Sequence, residues 1–325
     1  MILAESSGES ARMRASMPAR IRYAALPTER VNPASRALDR MTPEGIARLM
    51  NREDARAVRA VGRVSGAIAE AVALIVRGLE GGGRLFFVGA GTSGRLGVLE
   101  AAECPPTFGT RPRLVQAVMA GGRASVFRSR EGAEDDARAA ARAVRARVKA
   151  GDVVVGISAS GVTPFVRAAL AAARTRQAAT VLVTCNPARA HGRLARVIIA
   201  PAPGPEVLAG STRLKSGTAT KLVLNTLTTA SMARLGKIYG NRMVDLVPRS
   251  GKLRARALAL VQALGGASRG RARRALLGAR GRVPVAVVML RGHLNAPTAR
   301  RALAAHGHSL RATLQTVERR AADRS

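Results

Sequence analysis

Aromatic residues and cysteines are scarce in this sequence. Trp is absent and aromatic residues make up 2% of the 325 positions, so we expect a core built from Ala, Val, Leu and Ile. The only cysteines, Cys104 and Cys185, suit a reducing compartment and provide no disulfide framework. No apolar run reaches the roughly 18 residues of a membrane span. Residues 1–23 also lack the apolar segment of a secretory signal, so we expect a cytoplasmic protein without membrane contact.

Acidic residues are also few. The chain has 20 Asp and Glu against 54 Lys and Arg, a net charge of +34. Such a charge suggests a nucleic acid or another anionic partner. However, residues 81–110 carry no net charge, whereas residues 250–325 carry much of the excess. Since Arg, Ala and Gly are all abundant, we interpret the charge as a bias of composition and expect no nucleic-acid partner.

The order of patterns along the chain predicts three parts. Residues 1–26 are interpreted as a loose N-terminal extension, and residues 251–325 as a basic helical C-terminal region. The main domain, 27–250, begins with an extended arm and a helical pattern over 42–80 that is interrupted around 51–54. Glycines 81–83 end this helical pattern.

Short apolar runs alternate with helical patterns in the main domain. This alternation predicts an α/β fold with a doubly wound parallel sheet, which places the loops after the strands at one edge. The predicted strands are residues 84–88, 114–119, 152–157, 180–184 and 197–200.

Two of these loops are rich in hydroxyl groups. The first, GAGTSG from Gly89, matches the G-x-G-x-x-G pattern of dinucleotide-binding proteins, but the next strand lacks the acidic residue that this pattern requires. The second is SASGVT from Ser158. Glycines, hydroxyls and helix N-termini favour a phosphate, so we predict a sugar-phosphate site, with ordinary turns as the alternative. The candidate ligands are Gly91, Thr92, Ser93, Ser158, Ser160 and Thr163.

Two groups of acidic residues are candidates for acid–base chemistry. Glu103 precedes Cys-Pro-Pro, and the prolines are expected to end a helix there, which favours a carboxyl group with a raised pKa. The alternative is a solvated surface carboxylate. The second group, which includes Glu134, lies at 131–136, and its alternative role is favourable charge in the first turn of a helix.

A third polar segment, residues 211–218, opens a helical pattern over 216–235. Ser211 and Lys215 in this segment are candidate contacts to a substrate or to the site of a partner subunit, with a helix cap as the alternative. Neither the four histidines nor the two cysteines have the spacing of metal ligands, so we predict no metal site.

Several motifs in order resemble those of one known family. They are TERVNPASRALD from residue 28, GAGTSGRLGVL from 89, ECPPTFG from 103, EGAED from 131, VVVGISASGVTPFV from 153, TCNP from 184 and GSTRLKSGTATKLVLN from 210. The chain is similar in these motifs to the N-acetylmuramic acid 6-phosphate etherases. The resemblance implies a sugar isomerase (SIS) type of fold with an N-terminal helical arm and a C-terminal helical tail, in a cytoplasmic homodimer.

The resemblance also implies a reaction. Members of this family are lyases of peptidoglycan recycling that cleave the D-lactyl ether of N-acetylmuramic acid 6-phosphate by elimination and hydration, without metal or cofactor. The products are N-acetylglucosamine 6-phosphate and D-lactate. The family's two functional glutamates correspond to Glu103, as proton donor, and Glu134, as its acid/base partner. Val162 and Phe165 stand where the family usually has Arg and Tyr.

A different class of function shares these motifs. Glucokinase regulatory proteins are SIS proteins that sense phosphosugars without catalysis, but they carry a duplicated SIS unit. Here ECPP and EGAED each occur once, and both glutamates are retained, which favours the enzyme. Nucleic-acid-associated SIS regulators usually have an N-terminal helix-turn-helix, and residues 1–80 show no clear one.

Overall fold

The computed structural model describes residues 26–189, 194–246, 248 and 250–322. Nearly all of the predicted N-terminal extension lies outside the described residues, as does the segment considered for a signal sequence. Leu26, the first described residue, is buried. Within the described part of the chain, no helix is both long enough and apolar enough to cross a bilayer.

A five-stranded parallel sheet forms the centre of the molecule. The strands are β1 (Leu85–Gly89), β2 (Val115–Met119), β3 (Val153–Ile157), β4 (Ala179–Val183) and β5 (Val197–Ile199). Their spatial order is β2-β1-β3-β4-β5, and all pairs are parallel. The chain leaves β1 toward β2 on one side and returns toward β3 on the other. The predicted doubly wound sheet is therefore confirmed, with each strand within two residues of its expected bounds.

Helices cover both faces of the sheet, because side chains alternate along each strand. On β1, Leu85 and Phe87 belong to one hydrophobic cluster, whereas Phe86 and Val88 belong to another. The first cluster packs under α2 (Ser65–Glu80), α3 (Gly91–Phe108) and α7 (Lys215–Arg234). The second packs under α5 (Ala137–Arg147) and α6 (Pro164–Thr175). The short helix α4 (Ala124–Phe127) lies between β2 and α5 in the chain.

The predicted interruption at residues 51–54 is wrong. Helix α1 runs without a break over Pro43–Gly62, with Thr42 capping its first turn, and the chain breaks instead at Arg63 and Val64. The charged Glu53 interrupts the apolar pattern of the helix at 51–54, because a charged residue is expected on the surface. In the structure this residue faces inward and is 2% exposed. A buried ion pair with a distant residue, which local patterns do not reveal, accounts for it.

The predicted end of a helix at the two prolines is also wrong. Helix α3 includes Pro105 and Pro106 in its last turn and ends at Phe108, with Gly109 as its C-cap. Proline fits the φ angle of a helix, but inside a helix it lacks the N–H donor and its ring crowds the carbonyl four residues earlier. The helix accordingly ends within three residues of Pro105. Gly109 adopts a left-handed conformation (φ 62°) and donates its N–H to the Pro105 carbonyl at 3.0 Å. This is a common way for a helix to end.

The C-terminal region consists of five helices with a hydrophobic cluster of their own. They are α8 (Gly251–Gly265), α9 (Arg269–Gly278), α10 (Val283–Arg291), α11 (Ala296–Ala305) and α12 (Leu310–Ala322). Helix α10, whose residues 283–288 are all buried, lies at the centre of this cluster. Val244 and Leu246 also belong to it. The division at 250/251 stays a prediction.

Candidate functional site

The two hydroxyl-rich loops lie side by side at the carboxyl edge of the sheet. Gly89, the last residue of β1, pairs with Ile157, the last residue of β3, and with Met119, the last residue of β2. Because these strands are parallel and in this register, the loops that follow them leave the sheet at the same level. This is the edge at which open α/β sheets bind ligands.

The first loop passes directly into helix α3. Its tightness requires glycine, because a Cβ on Gly89 would lie 2.7 Å from the Gly94 nitrogen. No side chain caps the first turn of α3, so its N–H groups are available at the sheet edge. Thr92 and Ser93 lie in this first turn and are half-buried. A helix N-terminus with free N–H groups and added hydroxyls suits an anion.

The second loop forms a network of hydroxyl groups. The Ser158 Oγ and Thr163 Oγ1 atoms are 2.8 Å apart, and the Ser158 and Ser160 Oγ atoms are 3.4 Å apart. The Gly161 N–H donates to Ser158 Oγ at 3.1 Å, and the Val162 N–H donates to Ser160 Oγ at 3.3 Å. The three hydroxyls that the sequence indicated therefore belong to one ordered turn before α6.

A third loop, after β4, supports this turn from behind. The Asn186 side-chain amide donates to the Ser160 carbonyl at 3.0 Å, and Thr184 Oγ1 donates to the Ala159 carbonyl at 3.2 Å. Asn186 is fully buried. In the sequence, the TCNP segment stands out only through the family resemblance. Its supporting role is not predictable from local patterns, because the contact joins residues 26 apart in the chain.

Glu134 lies beside the first loop. A cavity of about 200 Å³ is lined by Gly91 and Met119 at the sheet edge and by residues 129–134 across from them. Glu134 is exposed on a short 3₁₀ turn over Ala133–Asp135. Asp136 instead caps α5, where its side chain accepts the Ala139 N–H at 2.8 Å. The alternative expected for this group, favourable charge at the start of a helix, thus fits Asp136, whereas Glu134 lines the cavity.

Arg95, on the second turn of α3, fixes the opposite wall of this cavity. Its guanidinium donates to the Val126 carbonyl at 2.8 Å, to the Ser125 carbonyl at 2.9 Å and to Ser129 Oγ at 3.4 Å. These contacts tie the segment before Glu134 to the helix that carries the first loop. No pattern in the sequence points to this role, because Arg is abundant throughout the chain.

Glu103 lies far from this cavity in its own chain. It is 12 residues beyond Gly91 on α3, which corresponds to about 18 Å along the helix axis. Its side chain is exposed, so the burial expected from the sequence is not present in the single chain. The neighbouring Cys104 is buried, and burial, reinforced by the charges of Glu100 and Glu103, raises the pKa of its thiol to about 12. This thiol is therefore protonated at neutral pH.

Lys215 is fully buried, in contrast to its predicted contact with a substrate. Its Nζ donates to Glu53 Oε2 at 2.5 Å and to the Pro203 carbonyl at 3.2 Å. Burial alone would raise the pKa of Glu53, but the Lys215 ammonium and the Asn32 amide hold that pKa below its usual value. Because its charge is already paired inside the protein, Lys215 does not offer it to a ligand.

The start of α7 is capped by a buried carboxylate. Glu206 accepts the N–H groups of Lys215 and Ser216, both at 2.9 Å. The helix-cap interpretation of residues 211–218 is therefore correct for the N–H groups at the helix start. Ser211 lies just before them and is half-buried.

The two departures from the family pattern are both buried. Val162 is 4% exposed, and Phe165 is 2% exposed within the hydrophobic cluster under α5 and α6. Phe165 also lines a second cavity of about 540 Å³, beside the first, together with Gly121, Glu131 and Asp136. An apolar ring therefore forms part of this wall.

In the described residues, no group of three or more His, Cys, Asp or Glu side chains is arranged to hold a metal ion.

Comparisons with known proteins place the chain among sugar isomerase domains. A model of the glucokinase regulatory protein N-terminal SIS domain matches residues 67–174, and a model of the SIS domain matches residues 134–230. An N-acetylmuramic acid 6-phosphate etherase of Picosynechococcus sp. is 47% identical over 89% of this chain and 96% of its own length. The etherase of Gloeobacter violaceus is 50% identical, over 91% and 97% respectively. That of Symbiobacterium thermophilum is 52% identical, over 78% and 84%.

Proposed function

This chain belongs to the N-acetylmuramic acid 6-phosphate etherase family, and from that membership we propose how its sheet edge carries out the reaction. The enzyme cleaves the D-lactyl ether of N-acetylmuramic acid 6-phosphate, giving N-acetylglucosamine 6-phosphate and D-lactate. The reaction serves the recycling of cell-wall amino sugars. We propose that the enzyme acts in the cytoplasm.

The substrate's 6-phosphate binds between the two loops. The hydroxyls of Ser158, Ser160 and Thr163 form one side, and the first turn of α3, with Gly91, Thr92 and Ser93, forms the other. The hydroxyl groups can donate to phosphate oxygens, and the free N–H groups of α3 favour the negative charge. The geometry that supports this assignment most directly is the pairing of Gly89 with Ile157, because it brings both loops to one level.

Elimination and hydration require an acid and a base at the sugar ring. In the open-chain form of the substrate, a base removes the proton at C2, which the adjacent aldehyde acidifies. The bond between C3 and the lactyl oxygen then breaks, and an acid gives its proton to the departing lactate. Water adds at C3, and a proton returns to C2. Two carboxyl groups in different environments can alternate in these roles, and we assign them to Glu103 as donor and Glu134 as its partner.

One chain does not supply both carboxyl groups to one site. Glu134 lines the cavity beside Gly91, whereas Glu103 is about 18 Å further along α3. A sugar ring held at the first loop cannot reach an acid at that distance. We therefore propose a homodimer in which Glu103 of each subunit faces the cavity of the other. Covering by the partner would also remove Glu103 from water and supply the burial that the single chain lacks.

Release of D-lactate from N-acetylmuramic acid 6-phosphate tests the assignment. The wild type should release D-lactate, and Glu103→Gln and Glu134→Gln should each lower kcat by about 100-fold or more, because each removes a proton-transfer group. A protein that binds the phosphosugar without turnover would instead be a sensing regulator. Full turnover by Glu103→Gln would refute the role of that residue.

A further inference from the structure

A buried ion pair joins α3 to α7 one turn before Glu103. Glu100 is 4% exposed and forms a salt bridge with Lys221 of α7. The second carboxylate oxygen of Glu100 accepts a hydrogen bond from Thr228 Oγ1 at 2.8 Å. Lys221 is about one third exposed, so its ammonium lies at the rim of the contact between the two helices. The reaction as described above makes no use of this pair.

The pair is within electrostatic reach of Glu103. Glu100 and Glu103 are three residues apart on α3, which places their Cβ atoms about 5–6 Å apart on neighbouring parts of the helix surface. Cys104 is close to all three charges: burial raises the pKa of its thiol most, Glu100 and Glu103 raise that pKa further, and Lys221 lowers it. A change in either member of the pair therefore changes the potential at Glu103.

Within one subunit, few other charges lie close to this part of α3, whereas in the proposed dimer Glu103 also faces the other subunit's cavity, which Arg130, Glu131 and Glu134 line. Strands β1, β2 and β3 and helix α4, which pack against it, carry no charged side chain. On α7, Lys215 is neutralised by Glu53, and Arg234 lies 13 residues beyond Lys221. On α3 itself, Arg95 lies five residues before Glu100 and is bound to the carbonyls of Ser125 and Val126. Further charged groups are the Lys237–Asp245 pair, whose Asp245 lies beside Gly109, then Arg111 and Arg113 just beyond α3, and Arg123 and Arg147 in a cavity beside Ala101 and Ala102.

We propose that Glu100 and Lys221 are positioning residues that set the proton affinity of Glu103 and thereby the pH range in which it can act as the acid. The inference rests on the proposed function of Glu103. A proton donor must be protonated at the working pH. A buried neighbouring carboxylate favours that state, and the ammonium limits the effect so that the proton can still be released.

The two members of the pair have opposite effects on Glu103. Lys221→Met leaves the Glu100 charge uncompensated, which favours protonated Glu103. Glu100→Gln leaves the Lys221 charge uncompensated, which favours ionised Glu103. A purely structural role predicts lower activity in both variants but no shifts of opposite sign.

The experiment is the pH dependence of kcat/KM for D-lactate release, whose basic limb reports an acid that must be protonated. Lys221→Met should move this limb upward and Glu100→Gln should move it downward, each by about half to one pH unit given partial exposure to solvent. The double variant should return the limb close to its wild-type position. Lys221→Arg, which keeps the charge, should leave the limb in place, as should Thr228→Val, which removes a hydrogen bond without changing charge.

Thermal unfolding of each variant distinguishes a loss of the fold from a change in the proton affinity of Glu103. If Lys221→Met does not fold, the direction in which the basic limb moves in Glu100→Gln and in the double variant still tests the inference. Glu100→Gln is expected to fold, because the Lys221 side chain can turn toward solvent there. Shifts in the same direction, or unshifted limbs in folded and active variants, would overturn the inference while leaving the etherase function intact. A wild type without D-lactate release would refute the proposed function itself.

Discussion

At the scale of single residues, the buried pair of Lys215 and Glu53 connects three parts of the chain. Asn32 of the N-terminal arm donates to Glu53 Oε2 at 2.8 Å, and Arg56 contacts the other carboxylate oxygen at 3.0 Å. The Asn32 amide also donates to the Pro205 carbonyl at 3.3 Å. The arm, α1 and the start of α7 are thus held together by one carboxylate.

Lys215→Met should therefore destabilise the protein strongly. The substitution leaves Glu53 charged and buried without its main partner, and we expect a loss of about 3–5 kcal/mol in the free energy of unfolding. Denaturant titration measures this loss. The matched control is Arg48→Met, which breaks an exposed ion pair with Glu44 and should cost less than about 1 kcal/mol. Equal effects of the two substitutions would contradict the structural role of Lys215.

The same carboxylate predicts a dependence of stability on pH. Because the pKa of Glu53 is lower in the folded protein than in the unfolded chain, its contribution is fully present above the ordinary carboxyl pKa. That contribution disappears as the pH falls through the lowered value. Glu53→Gln should therefore be less stable than the wild type at neutral pH, and the difference should shrink in acid. Denaturant titrations across this range measure it, and a constant difference would contradict the assignment.

At the scale of elements, the loop before α6 holds its hydroxyls in an internal hydrogen-bond network, in which Ser158 is 3% exposed. Ser158→Ala removes the group that accepts from Gly161 and contacts Thr163, so we expect weaker phosphate binding, with KM raised about tenfold. Steady-state kinetics of D-lactate release measures this change. The control is Ser268→Ala, which removes the cap of α9 in the C-terminal region. It should cost about 1 kcal/mol of stability and leave KM unchanged.

Elements with strong local signals could be predicted from the sequence. The strands were evident because short apolar runs are followed by glycine and hydroxyl residues, and the same pattern placed Ser158, Ser160 and Thr163 at the sheet edge. The predictions failed where a distant partner decides the outcome. Glu53 continues α1 because Lys215 neutralises it from 162 positions away. Lys215 carries a charge typical of a ligand contact, and only the fold shows that this charge is already paired.

At the scale of the whole molecule, the proposed exchange of Glu103 between subunits has a direct test. Glu103→Gln and Glu134→Gln should each be inactive, yet a mixture allowed to exchange subunits should regain activity. A mixed dimer has one site that lacks both glutamates and one site with both intact. Random exchange should restore about one quarter of wild-type activity, because half of the dimers are mixed and each has one working site. If both glutamates came from one chain, the mixture would stay inactive.

Helix α3 carries both a proposed phosphate contact and Glu103, and it therefore connects the two sites of the proposed dimer. In the proposed site its first turn contacts the phosphate, and in the proposed dimer its fourth turn, with Glu103, lies in the site of the other subunit. A helix is stiff over this length, so a shift caused by a phosphate at one end is transmitted to the acid at the other end. Occupancy of one subunit would then alter turnover in its neighbour. We therefore expect cooperativity between the subunits of the proposed dimer.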